Sequence, residues 1–122
     1  MADKAPMKLS DVKNVEIAAD AVGKISKFIL ITVFRSKESK IILRSSDRNY
    51  HDEIKNEVLY SNIGKNFDIE VNGGGKIFVD KNSKKIYIWG ISTAFGLPDF
   101  EKAKKLLEET YKDYEILIRE YK

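Results

Sequence analysis

The 122-residue chain contains no cysteine, one histidine and two prolines, and each shortage removes a class of chemistry. Without cysteine there is no disulfide, no thiolate nucleophile and no zinc-thiolate site. A single histidine leaves only scattered carboxylates to complete a transition-metal cage, so the expectation is chemistry with no metal and no cofactor. No apolar run approaches the roughly 20 residues of a membrane span, and no membrane partner is expected. The opening Met1-Ala2-Asp3-Lys4-Ala5-Pro6-Met7 lacks the apolar core and small-residue cleavage pattern of a signal peptide, which points to a cytoplasmic location. Neither sign of charge forms a block: 22 basic residues are interleaved with 19 acidic ones for a net +3. That excess helps attract a phosphate-bearing ligand, but it is not the dense basic stripe of a nucleic-acid binder.

What is present suits one globular domain. The length allows one hydrophobic core, 43% of the residues are hydrophobic and 34% charged, and monomer is the default for such a chain. Residues 1 to about 12 read as a flexible lead kept off the core, with residues 13–122 as the domain. Val15 to Ile17 fits a short edge strand. The β-branched and aromatic run Phe28-Ile29-Leu30-Ile31-Thr32-Val33-Phe34 fits a central strand buried on both faces. After a polar turn at residues 37–40, Ile41 to Arg44 reads as its hairpin partner. Tyr50, Ile54 and Val58, with Leu59 and Ile63 beside them, recur at helical spacing. They predict an amphipathic helix capped by Asp47 or Asn49 and stopped near Gly64.

Phe67, Ile69 and Val71 alternate as a strand that Gly73-Gly74-Gly75 interrupts, the chain turning there before Ile77-Phe78-Val79. Asp80 to Ser83 is turn chemistry, returning into the strand Ile86 to Trp89. Pro98 and Asp99 open a second helix with Phe100, Ala103, Leu107 and Tyr111 on one face, ended by Asp113 and followed by a strand at Ile116 to Ile118. The order predicts an α+β domain: about six strands in a mixed or mostly antiparallel sheet, covered by two main helices.

Several residues carry possible chemistry. His51 stands at the predicted start of the first helix, where unpaired amides favour an anion and an imidazole can reach it; a surface or capping histidine is the plainer alternative. Gly90-Ile91-Ser92-Thr93-Ala94-Phe95-Gly96 can aim amides and a hydroxyl at an oxyanion, or be an ordinary strand-to-helix connection. Its second glycine is displaced from the Gly-x-Ser-x-Gly spacing of a serine hydrolase. Gly73-Gly74-Gly75-Lys76 lacks Walker spacing and is followed by a strand, so it reads as a bulge or bend. Lys27 and Arg44 are expected at neighbouring sheet ends near one pocket.

In combination and in order, Gly23-Lys24-Ile25-Ser26-Lys27-Phe28, Arg44, Tyr50-His51, Gly73-Gly74-Gly75-Lys76, Lys84-Lys85-Ile86, the Gly90 to Gly96 segment and Tyr111 to Glu115 resemble the protein phosphohistidine phosphatase (janus) family, over nearly the whole chain from about Val12 to Ile116. The resemblance implies a metal-independent phosphatase acting on phosphohistidine-bearing proteins, phospholysine being a further possible substrate. His51 would be the catalytic residue, as general base or as nucleophile. Lys27 would bind substrate, and Ser92, Thr93 and Ala94 would form the phosphate loop. Tyr50 and Asp52 would flank the histidine, the amide of residue 52 joining the cradle, with Arg44 and Lys76 as outlying basic positions. The chain departs from the family pattern in having Asp52-Glu53 after Tyr-His and Lys76 where arginine is common. A catalytically weak phosphohistidine-binding module on the same fold is the rival expectation.

Overall fold

The computed structural model describes residues 6–119. Six strands form one mixed sheet: β1 (Val15–Ile17), β2 (Ser26–Arg35), β3 (Glu38–Ser46), β4 (Asp68–Asp80), β5 (Lys85–Trp89) and β6 (Glu115–Ile118). Their order across the sheet is β1-β3-β2-β4-β5-β6. The four inner strands pair antiparallel, while β1 on β3 and β6 on β5 are parallel. Among the described residues three α-helices accompany them, α1 (His51–Leu59), the short α2 (Asn62–Asn66) and α3 (Phe100–Thr110). The domain is therefore α+β as expected, with β2 central and β1 at an edge. No helix among the described residues is long and apolar enough to cross a membrane.

Strand alternation splits the core into two layers. Phe28 and Leu30 of β2 point to one face, where they meet Ile77, Val79, Ile86, Ile88 and the buried side of α3, Ala103, Leu106 and Leu107. Ile29, Ile31 and Val33 point to the other, against Ile54 and Val58 of α1 and Ile63 of α2. Phe28, Ile29, Leu30 and Ile31 are each at most 1% exposed, and each such side chain contributes about 1.5–3 kcal/mol by leaving water.

The predicted elements hold with five local corrections. The lead is not kept off the core: residues 1–5 lie outside the described residues, but Val12 is buried, and Met7 and Leu9 pack on the α1 layer. The first hairpin turns at Ser36 and Lys37, because Arg35 already pairs with Glu38. The first helix ends at Leu59 and restarts after Ser61, whose Oγ accepts from the Ile63 amide. Gly64 therefore does not stop it but sits inside α2, where a Cβ would run into the Leu59 carbonyl. Pro98 lies before the α3 cap, since Asp99 Oδ1 accepts from the Lys102 amide, and α3 ends at Thr110, short of Asp113.

The fifth correction matters most. The glycine run does not turn the chain: β4 passes through it and pairs with β2 on both sides. Between the pairs Ile29 with Gly74 and Ile31 with Val71, two residues of β4 stand opposite one of β2, a β-bulge at Asn72 and Gly73. Gly73 adopts φ +126°, a conformation that favours glycine.

Candidate functional site

His51 opens α1. Tyr50, not Asp47 or Asn49, occupies the cap, and Glu53 Oε1 reaches back to accept from the Tyr50 amide at 2.9 Å. The segment before the helix is clamped by Arg48, whose guanidinium donates to Asp20 at 3.0 Å and to Glu57 at 2.6 Å. The imidazole is buried, 7% exposed, and its Nε2 lies 2.9 Å from the Gly75 carbonyl oxygen. A carbonyl only accepts, so Nε2 carries the proton and the neutral ring holds its lone pair on Nδ1.

The glycine run makes this placement possible. A Cβ at Gly74 would lie 2.6 Å from the Phe28 carbonyl oxygen and 2.8 Å from His51 Cδ2, so any side chain there collides with backbone and displaces the ring. A Cβ at Gly75 would lie 2.5 Å from the Trp89 carbonyl oxygen. The strand thus supplies both the space for the imidazole and the acceptor that orients it.

His51 faces a cleft of about 830 Å³ lined by Lys27, Asn49, Tyr50, Asp52, Lys76, Trp89, Gly90, Ile91, Thr93 and Ala94. Lys27 and Lys76 are directly opposed across the β2–β4 ladder. Like charges at opposed positions destabilise a sheet, and an anion between them offsets that. Burial holds the His51 imidazole below its ordinary value near 6.5; the Gly75 carbonyl opposes this, Lys27 and Lys76 reinforce it, and the Asp52 carboxylate works against it. The ring is mostly neutral at neutral pH.

The far bank is the loop from Gly90 to Gly96. Ser92 is buried, 1% exposed, and its Oγ accepts from the Phe95 amide at 3.1 Å. The amide of Ser92 donates to the Gly96 oxygen and the Gly96 amide returns to the Ser92 oxygen, closing the turn. The same Gly96 oxygen accepts from Gly74, so the loop is fastened to the strand that orients His51. Phe95 packs on the α1 layer with Lys55 of α1 over its ring at 5.9 Å. Among the described residues nothing takes up the amides of Thr93 and Ala94, or those of His51 and Asp52 at the helix start. Unpaired amides of this kind form an anion cradle where they converge.

Of the nine residues singled out in the sequence, seven line the cleft: Lys27, Tyr50, His51, Asp52, Lys76, Thr93 and Ala94. Ser92 shapes the loop from inside and does not line it. Arg44 is not there either. The β2–β3 register pairs Lys27 with Ser46 and places Arg44 opposite Ile29, two residues further into the sheet, where it lines a separate cavity under α1. Asn49, Trp89, Gly90 and Ile91 were not singled out one by one. Their adjacency to Tyr50-His51 and to the Ser92 loop was the available signal. Among the described residues no three His, Cys, Asp or Glu side chains converge as metal ligands would.

Comparison with known proteins adds to this geometry. Residues 9–115 match the model of the Janus/Ocnus family. The chain is 32% identical over 118 residues to the sex-regulated protein janus-A of Drosophila pseudoobscura pseudoobscura, covering 89% of this chain and 79% of that protein. It is 29% identical over 106 residues to the sex-regulated protein janus-B of Drosophila sechellia, covering 80% and 76%. With the janus-B of Drosophila teissieri the identity is 27% over 99 residues, covering 77% and 71%.

Proposed function

The chain belongs to the Janus/Ocnus family, and on that premise we propose that it is a metal-independent protein histidine phosphatase, cleaving the phosphorus–nitrogen bond of phosphohistidine on cytoplasmic proteins. The observation that carries this reading is the His51 ring: Nε2–H is committed to Gly75 O, which leaves Nδ1 as the basic nitrogen, at a cleft flanked by two opposed lysines and free amides.

A phosphoramidate is labile once its leaving nitrogen is protonated, so the protein must chiefly hold the phosphoryl oxygens, align the attacker and stabilise charge. Lys27, Lys76 and the amides of Asp52, Thr93 and Ala94 supply the cradle. Two routes use the same nitrogen. In one, the Nδ1 lone pair bonds to phosphorus while the P–N bond breaks and the substrate imidazole leaves with a proton. Water then attacks the phosphorylated His51, releasing phosphate and returning the lone pair. In the other, Nδ1 takes a proton from a water whose oxygen bonds to phosphorus directly, while the P–N bond breaks and the substrate imidazole leaves with a proton. Phospholysine contains the same type of bond and is a second substrate on this reading.

The test is phosphate release from a phosphohistidine peptide in excess chelator, wild type against His51→Ala. Turnover that survives chelation and falls by at least about 10³-fold in the variant is the expected result. Full activity in His51→Ala, or dependence on added metal, would sink the reading. One feature favours a second reading, a phosphohistidine-binding module with little turnover: Asp52 places a carboxylate on the cleft wall, where it repels a phosphate. Saturable binding of the peptide by the wild type without phosphate release would decide for that module.

A further inference from the structure

We propose that the cavity under α1 is a second binding site, for a small organic carboxylate with an apolar body, held by Arg44. It shares no lining residue with the His51 cleft.

Arg44 is 8% exposed. Of the five N–H bonds of a guanidinium, one on Nη1 donates to the Leu43 carbonyl at 2.9 Å. Glu16 is its ion-pair partner among the described residues, but Oε2 stands 3.8 Å from Nη2, beyond hydrogen-bond distance, on a side chain that is 60% exposed. A guanidinium this deep, with four donors unmatched among the described residues, is expensive to keep unless an acceptor meets it, and Arg44 is one of the residues lining the cavity. Burial also lowers the Arg44 pKa, with Glu16 opposing, and Lys40 nearby is lowered by burial and by Arg44 itself.

The remaining walls set the rest of the ligand. Met7, Ile54, Val58 and Ile63 make one side apolar. The second carboxylate in the lining, Glu57, is already neutralised by Arg48 at 2.6 Å and accepts from Ser46 Oγ, so it neither competes for Arg44 nor repels at full charge. The volume, about 370 Å³, is more than twice the roughly 150 Å³ of an apolar cavity that takes up benzene. A planar carboxylate matches the guanidinium edge in bidentate fashion, and a short hydrocarbon body matches the wall.

Hexanoate is the probe, hexanol and inorganic phosphate its controls, with backbone amide NMR shifts of the full chain as the readout. Saturable shifts with hexanoate at Arg44, Ser61 and Asn62, at least about tenfold weaker for hexanol and for phosphate, are expected. Arg44→Lys, which keeps charge but loses the fork, should weaken hexanoate by about tenfold, and Arg44→Met should abolish binding. No saturable shift in the wild type, equal binding of hexanol, or shifts confined to the His51 cleft would overturn the proposal without needing a folded variant. So would undiminished binding to Arg44→Lys.

Discussion

The two faces of the sheet are built by different means. On the α3 face, regular periodicity does everything: alternating strand residues meet a helix whose apolar side chains recur at three and four positions. On the α1 face the same sheet carries a bulge, three consecutive glycines, a helix broken after Leu59 and two opposed lysines. The irregular face is where His51 stands. Regular packing stabilises the domain on one side, while the departures on the other place a ring, a carbonyl and free amides around a cleft, and stability and activity should therefore be separable by face.

The largest effect that would test this separation is on the α3 side. Leu107→Ala removes a side chain with no exposure and should cost about 2–5 kcal/mol in denaturant unfolding, while kcat per folded molecule stays at the wild-type value. A large fall in kcat would dissolve the distinction between the faces. Gly74→Ala should do the reverse in kind. Its methyl meets the Phe28 carbonyl and the His51 ring, so kcat on a phosphohistidine peptide should drop by about 10²-fold through misplacement, with a smaller stability loss of about 1–3 kcal/mol. A wild-type kcat in that variant would remove Gly74 from the site's construction.

Activity against pH sharpens the comparison further. On the proposed reading the reactive form is the neutral imidazole, and burial lowers the His51 pKa below 6.5. A lowered pKa keeps the ring neutral to lower pH, so the acid limb of kcat/KM should lie below pH 6.5. Gly74→Ala, whose methyl pushes the ring off its buried seat, should move that limb upward. An acid limb above 6.5 in the wild type contradicts the assignment. The smallest expected effect is Lys76→Met. Relief of the repulsion with Lys27 should leave stability unchanged or raised by up to about 1 kcal/mol, while KM for the peptide rises. A stability loss would mean that the two lysines are not in conflict.

This division also explains what was legible in the sequence. The strand run at Phe28, the β4–β5 hairpin with Asp80 accepting from Asn82 and Ser83, and the α3 stripe follow from local periodicity and turn chemistry, which a single sequence displays. The glycine run looked like an interruption because its reasons are distant in sequence: Leu97 and Pro98 against Gly73, His51 against Gly74, Trp89 against Gly75. Gly64 looked like a helix stop because the break after Leu59 is not written in the spacing; its constraint is the Leu59 carbonyl at the end of α1, met only once the chain restarts as α2. The gathering of Lys27, His51, Lys76 and the Thr93-Ala94 loop was indicated by the resemblance to a family and not by spacing. Arg44 was misplaced because a pairing register cannot be read from strand composition, and two residues of register separate the cleft from the cavity behind α1.

The Gly75 carbonyl has one more consequence. By holding Nε2–H it leaves the imidazole a single nitrogen with a free lone pair, so if the proposed phosphatase acts through a phosphorylated histidine, the backbone makes the choice between two chemically distinct isomers in advance. A phosphoryl group trapped on this chain would be the Nδ1-linked isomer, and an isomer-selective reagent would read the orientation of the ring directly.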